Sequence, residues 1–132
     1  MGNVKYLLDT HTLLWAVQKN TQLSDTAKTA LSDRGVQKFV SAASAYEIMF
    51  KHQIGKLGGY SYVAENYLDV LNRLGVYELP ISTRHAHYAG KFDWSHRDPF
   101  DRILAAQAFT ENMVLITCDK AFETLEWVNV MW

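Results

Sequence analysis

A single cysteine, Cys118, leaves the sequence unable to close a disulfide within the chain, so a reducing compartment is expected. Cys118 itself reads as a small buried hydrophobe. No apolar run approaches the ~20 residues that cross a bilayer. Met1 to Leu8 contains Lys5 and runs into Asp9, which is not the apolar core of a leader. A soluble, cytoplasmic protein without a membrane partner is therefore expected. Repeats, low-complexity tracts and Pro/Gly/Ser-rich linkers are also missing, and residues 1–132 read as one domain. Nor is there a basic excess: 13 Lys and Arg face 14 Asp and Glu, a net charge of -1. Nucleic-acid-binding domains usually carry such an excess, so any contact with nucleic acid must rest on local placement of charge.

What is present is globular. Hydrophobic residues make up 48% and charged residues 20%, enough to build one real core. Val4 to Leu8 reads as a buried strand and His11 to Gln18 as a helix. Ser24 caps a second helix that ends near Gly35, with Leu23 as its staple. Lys38 to Ser41 is the next strand, and Ala42 to Ile54 a helix that buries Ile48 and Phe50 and stops at Gly55. Ser61 is expected to cap one helix with Val63, Tyr67, Leu71 and Leu74 along a stripe, ended by Gly75. Val76 to Leu79 is a strand, and Ser82 opens a helix that Gly90 stops. Asp98-Pro99 is a helix start, with Asp as cap and Pro at the first position. That helix carries Ile103, Leu104 and Phe109 to Asn112. Met113 to Thr117 is a strand, Lys120 to Leu125 a short helix, and Val128 to Met131 a terminal strand. Strands alternating with helices imply parallel pairing and right-handed crossovers, hence a three-layer α/β domain of about four to six strands.

Ligands in such folds bind beyond the carboxyl ends of the strands. Asp9 ends the first strand, and Asp119 lies just past the strand Met113 to Thr117. Glu47 lies about two turns into a helix that follows a strand, and Asp101 in the first turn of the Asp98-Pro99 helix. Carboxylates that converge repel one another and need a cation to stay ionised. Magnesium, a hard ion satisfied by one or two carboxylates plus water and phosphate, fits that need. It lowers the pKa of a bound water and stabilises charge on a scissile phosphate. Each acid also has a plain structural reading. Asp9 and Asp98 are positioned as N-caps, Glu47 follows Ser44 in a capping-box spacing and precedes Lys51 by one turn, Asp101 favours a helix N-terminus, and Asp119 suits a turn.

Leu7-Leu8-Asp9-Thr10-His11 with Leu14-Trp15, and Ser41-Ala-Ala-Ser44-Ala-Tyr-Glu47-Ile48 with Lys51 and Gly55-Lys56-Leu57, resemble the PIN-domain family. Leu79-Pro80-Ile81, His85-Ala86 and Ala89-Gly90 continue the likeness. Asp98-Pro99-Phe100-Asp101-Arg102-Ile-Leu-Ala-Ala-Gln107-Ala108 is its densest segment, followed by Thr117-Cys-Asp119 and Phe122. The VapC-type toxins of bacterial toxin–antitoxin systems are the nearest likeness. The resemblance implies a three-layer α/β/α fold around a mostly parallel five-stranded sheet, and an endoribonuclease dependent on Mg2+ or Mn2+. It implies a cognate antitoxin partner and a homodimer. Asp9, Glu47, Asp101 and Asp119 become the metal-binding set, and Asp98 a fifth catalytic candidate whose capping role already accounts for it. The loop Phe92-Asp93-Trp94-Ser95-His96 departs from the Leu-Pro and paired histidines of many relatives, and Tyr46 stands where many have Trp.

Thr10, His11, Lys51, His96, Arg97 and Arg102 are candidates for holding RNA, and Lys56 and Lys120 add local positive charge. His85 and His87, two apart, point away from each other on a helix and make a poor zinc pair. Trp15, Trp94, Trp127 and Trp132 read as core or interface. The expected activity is hydrolysis of an RNA phosphodiester by a metal-activated water. The rivals are a phosphoacceptor signalling domain and an α/β interaction module without catalysis. The first wants adjacent acids after the first strand, whereas Asp9-Thr10-His11 offers one. A phosphatase using Asp-x-Asp fails on the same tripeptide, and a flap-type DNA nuclease stays open, although this chain is short and lacks added DNA-holding elements.

Overall fold

The computed structural model describes residues 3–18 and 21–132. Its sheet has five strands: β1 (Lys5–Leu8), β2 (Gln37–Ser41), β3 (Val76–Leu79), β4 (Val114–Ile116) and β5 (Val130–Met131). Their order is β3-β2-β1-β4-β5, and every neighbouring pair is parallel. Parallel pairing needs crossovers, which α1 (Thr10–Gln18) and α2 (Asp25–Ser32) supply between β1 and β2. Helices α3 (Ala42–Gln53), α4 (Ser61–Glu65) and α5 (Tyr67–Leu74) join β2 to β3, and α6 (Thr83–Lys91) and α7 (Pro99–Thr110) join β3 to β4. A 3-10 turn, Lys120–Thr124, precedes β5.

The strand pleat sends alternate residues to opposite faces, so an all-parallel sheet needs apolar side chains on both. Leu8, Val40 and Ile116 enter one core with Leu13, Ala27, Ile48 and Leu71. Leu7 and Leu115 enter the other with Leu104, Ala108 and Phe122. The three layers are the expected α/β/α fold. Trp15 and Trp132 pack against the first core, Trp94 and Trp127 against the second.

Local signals explain most element ends. The Ser24 hydroxyl accepts the Ala27 N–H at 3.0 Å, and Asp98 accepts those of Phe100 and Asp101 at the start of α7. Gly75 ends α5 at a φ of 68°, a left-handed conformation that glycine adopts at little cost. The expected helix from Ser61 is instead two. Asn66, at φ -127° and ψ 37°, interrupts the stripe, and its backbone N–H and side-chain amide both donate to the Tyr62 carbonyl. Ser61 is not its cap, because Tyr60 holds that position without a side-chain bond. Phe50 is 49% exposed rather than buried; the inward face of α3 is carried by Ile48. Cys118 is also exposed, because β4 ends at Ile116 and Cys118 lies beyond the covered strands.

Candidate active site

Strand order decides which acids can meet. β1 is central, flanked by β2 and β4, and Leu8 is paired with both Val40 and Ile116. Asp9 therefore leaves the sheet level with Thr117 on one side and Ser41 on the other. The Asp9 N–H continues the ladder to the Ile116 carbonyl at 3.1 Å. Its side chain is nearly buried and doubly bonded. Oδ1 accepts the Thr10 N–H at 2.6 Å, and Oδ2 accepts the Thr117 hydroxyl at 2.7 Å. Burial pushes the Asp9 carboxyl above its ordinary range; the two hydrogen bonds and His11 oppose this, and Glu47 reinforces it.

Glu47 reaches the same rim through α3. Ser41 caps that helix, accepting the Ala43 N–H at 3.0 Å, so the Ser44 capping box is not formed. Ser44 instead shares a 2.8 Å hydrogen bond with the Thr10 hydroxyl, clasping α3 to the turn after Asp9. Glu47 pairs with Lys51 at 3.1 Å, one helical turn on. Tyr46 and Phe100 then meet ring to ring at 5.8 Å, which brings the start of α7 against α3. Each ring neighbours an acid in sequence, Glu47 on one side and Asp101 on the other.

Asp101 joins the rim from the first turn of α7. Burial pushes its carboxyl up to about 6; His96 opposes the shift, and Asp98, Asp9 and Asp119 all add to it. Those repulsions record that carboxylates from β1, α7 and the end of β4 share one rim. Asp119 is exposed, its N–H held by the Thr117 hydroxyl at 3.0 Å and its Oδ1 accepting from Ala121. Asp98 is exposed and occupied as the α7 cap.

The candidate RNA-holding residues divide. Thr10 and His11 begin α1 beside Asp9, with His11 exposed and 5.8 Å from the Trp15 ring. His96 Nε2 stands 2.6 Å from Asp101 Oδ2. Lys51 and the exposed Arg97 flank the acids, and Arg97 precedes the α7 cap. Arg102 departs from expectation: its guanidinium turns inward onto the carbonyls of Ala89, Phe92, Trp94 and His96, which leaves it poorly placed to hold a phosphate. His85 has a structural task. Its Nδ1 accepts the Ser82 N–H, so Nε2 carries the proton toward Glu111 at 2.8 Å. Thr117 and Ser44 are the site residues that sequence reasoning missed. Thr117 was legible as a hydroxyl two residues before Asp119, at a strand end aligned with Asp9.

The donor set is all oxygen and mutually repulsive, which suits a hard divalent cation. Among the described residues no three His, Cys, Asp or Glu are arranged to hold one ion together. Magnesium needs fewer, since it takes one or two carboxylates and keeps several waters. One or two of Asp9, Glu47, Asp101 and Asp119 would meet that demand, with water completing the shell.

A fully parallel sheet covered by helices on both faces, with acidic side chains beyond the ends of its central strands, defines a three-layer α/β domain. The PIN domain profile matches residues 6–128, and the chain belongs to that family. No curated protein matches it significantly. Among solved structures it is similar to VapBC-1 from nontypeable Haemophilus influenzae, at 20% identity and a TM-score of 0.69 over 97% of both chains. It is also similar to a toxin–antitoxin complex from Klebsiella pneumoniae (18% identity, TM-score 0.62, 96% of both chains). A third is VapC20 of Mycobacterium tuberculosis, a toxin that cleaves the sarcin–ricin loop (16% identity, TM-score 0.65, 96% of this chain and 99% of that one). At these identities the likeness is one of fold.

Proposed function

We propose that this chain is a magnesium-dependent endoribonuclease, the toxin of a toxin–antitoxin pair acting in the cytoplasm. One observation carries the reading: Thr117, on the strand end beside Asp9, donates to Asp9 at 2.7 Å and accepts the Asp119 N–H at 3.0 Å, and these two acids, remote in sequence, add their repulsion to the burial that raises Asp101. When bound, magnesium (or manganese) supplies Lewis-acid charge and a water of lowered pKa. One or two of Asp9, Glu47, Asp101 and Asp119 would hold that cation directly and the others through its waters. Thr10 and Thr117 fix the Asp9 carboxylate through its two oxygens, and His96 orients Asp101. Lys51, His11 and Arg97 offer positive or hydrogen-bonding groups to the RNA backbone beside the acids, answering the absence of net positive charge. The likeness in fold to a loop-cleaving toxin and to a toxin–antitoxin complex supports an RNA substrate and an antitoxin partner.

A second copy of the chain is the further partner proposed. The outer face of α3 exposes Tyr46, Met49, Phe50 and Ile54, and such grouped apolar side chains mark protein–protein contact. The test of the activity is RNA cleavage in magnesium, with and without chelator. Asp9→Asn is expected to abolish it, and full activity in that variant would overturn the assignment.

A further inference from the structure

Arg102 follows Asp101 on α7, so the two side chains leave the helix about 100° apart. Asp101 turns to the rim, and Arg102 turns to the loop of residues 92–98 that joins α6 to α7. Arg102 Nε donates to the Ala89 carbonyl at 2.8 Å, and Nη1 donates to those of Trp94 and His96 at 3.0 and 3.1 Å. Nη2 donates to the Phe92 carbonyl, and the guanidinium carbon lies 4.3 Å from the Phe92 ring centroid. One side chain thus grips the loop at its start, middle and end. The end is His96, whose Nε2 stands 2.6 Å from Asp101 Oδ2. Trp94, between them, packs its ring 4.7 Å from that of His96 and donates its indole N–H to Thr124 at 2.9 Å. Thr124 belongs to the 3-10 turn that Asp119 caps. The loop is therefore fastened to the element of Asp101 and to the element that follows Asp119.

We infer that Arg102 is a positioning residue of the active site: by fixing the loop backbone it holds His96 against Asp101 and sets the direction in which that carboxylate faces the cation. The inference rests on the proposed nuclease reading for its consequence and on the hydrogen bonds above for its geometry. The planar fork of arginine is what the task requires. A lysine ammonium keeps the charge, but it presents its donors from one point and cannot reach carbonyls spread along a loop.

NMR of the metal-free protein tests the geometry without invoking the cation. The Arg102 guanidinium is expected to show resolved, slowly exchanging N–H signals in the unaltered chain; a single averaged signal would overturn the inference without any variant. The His96 Nε2–H signal is expected to be visible in the wild type and lost in folded Arg102→Lys, and its persistence there would equally overturn it. Calorimetric magnesium binding then separates positioning from general damage. Arg102→Lys and His96→Ala are each expected to weaken binding roughly tenfold, the scale of lost partners behind metal ligands. The double variant is expected to be no weaker than the worse single one. Losses that multiply would show that Arg102 does not act through His96. A wild type that binds no magnesium would remove the nuclease reading instead, while the NMR measurements would still decide the Arg102–His96 relation.

Discussion

Thr117 donates its hydroxyl proton to Asp9 at 2.7 Å across two neighbouring parallel strands, and the same oxygen accepts the Asp119 N–H at 3.0 Å. One side chain thus locks two of the proposed cation ligands into a common frame. Thr117→Val keeps the shape and removes both bonds. Because Thr117 lowers the Asp9 pKa against burial, its loss is expected to raise that carboxyl further. Magnesium affinity is expected to fall roughly tenfold, and the acidic limb of the pH–activity profile to move upward. An unmoved limb would argue that Thr117 serves packing alone.

Asp9→Asn separates function from stability. The carboxylate is buried and its charge disfavoured, so the amide is expected to abolish cleavage while leaving the metal-free protein at least as stable. Activity assays beside thermal unfolding in chelator check both halves.

Asp101 predicts a pH dependence with a definite sign. Its carboxyl is raised from 3.8 to about 6, so the fold favours the protonated form. Its contribution is present below the unfolded value and is lost as pH rises through about 6. Metal-free wild type is therefore expected to lose stability relative to Asp101→Asn between pH 4 and 7, the difference between their denaturation midpoints being the measurement. Saturating magnesium is expected to shrink that loss. A difference that does not change with pH would contradict the burial argument.

Asp98 and Asp101 are expected to separate cleanly. Asp98→Ala removes the acceptor for Phe100 and Asp101 and is expected to cost about 1 kcal/mol, with Asp98→Ser recovering most of it. Cleavage by Asp98→Ser is expected to stay near wild type, whereas Asp101→Asn loses it. Equal loss in both would promote Asp98 to a metal ligand.

Phe50 is 49% exposed and stacked on Tyr46 at 5.9 Å, so a charge there is expected to alter assembly without touching the core. Phe50→Glu is expected to convert a dimer to monomer by light scattering, with unfolding unchanged to within about 0.5 kcal/mol. A wild-type monomer would reject the homodimer.

The layers were legible in the sequence because short apolar runs alternate with capped helices, and Asp98-Pro99 and Gly75 mark ends through local chemistry alone. The break at Asn66 was not, because an asparagine inside an apolar stripe leaves the period intact while its backbone N–H and amide both close onto the Tyr62 carbonyl. Phe50 misled for a related reason: apolar character signals a core only when the face it lies on is covered within the same chain. The acids were found from their positions after strands and at helix starts. Their arrangement was not, since Arg102 looks from sequence like a phosphate ligand and only the loop's path reveals four carbonyls waiting for it. Ser44 and Thr117 were missed because hydroxyls that organise carboxylates leave no periodic trace.

The placement of β4 beside β1 has a consequence for biosynthesis. The hydroxyl that orients Asp9 is made 108 positions after it. A ribosome must therefore release the chain beyond β4 before the rim can close. Any product halted upstream of Thr117 carries Asp9, Glu47 and Asp101 without their frame, and such fragments are expected to bind magnesium poorly.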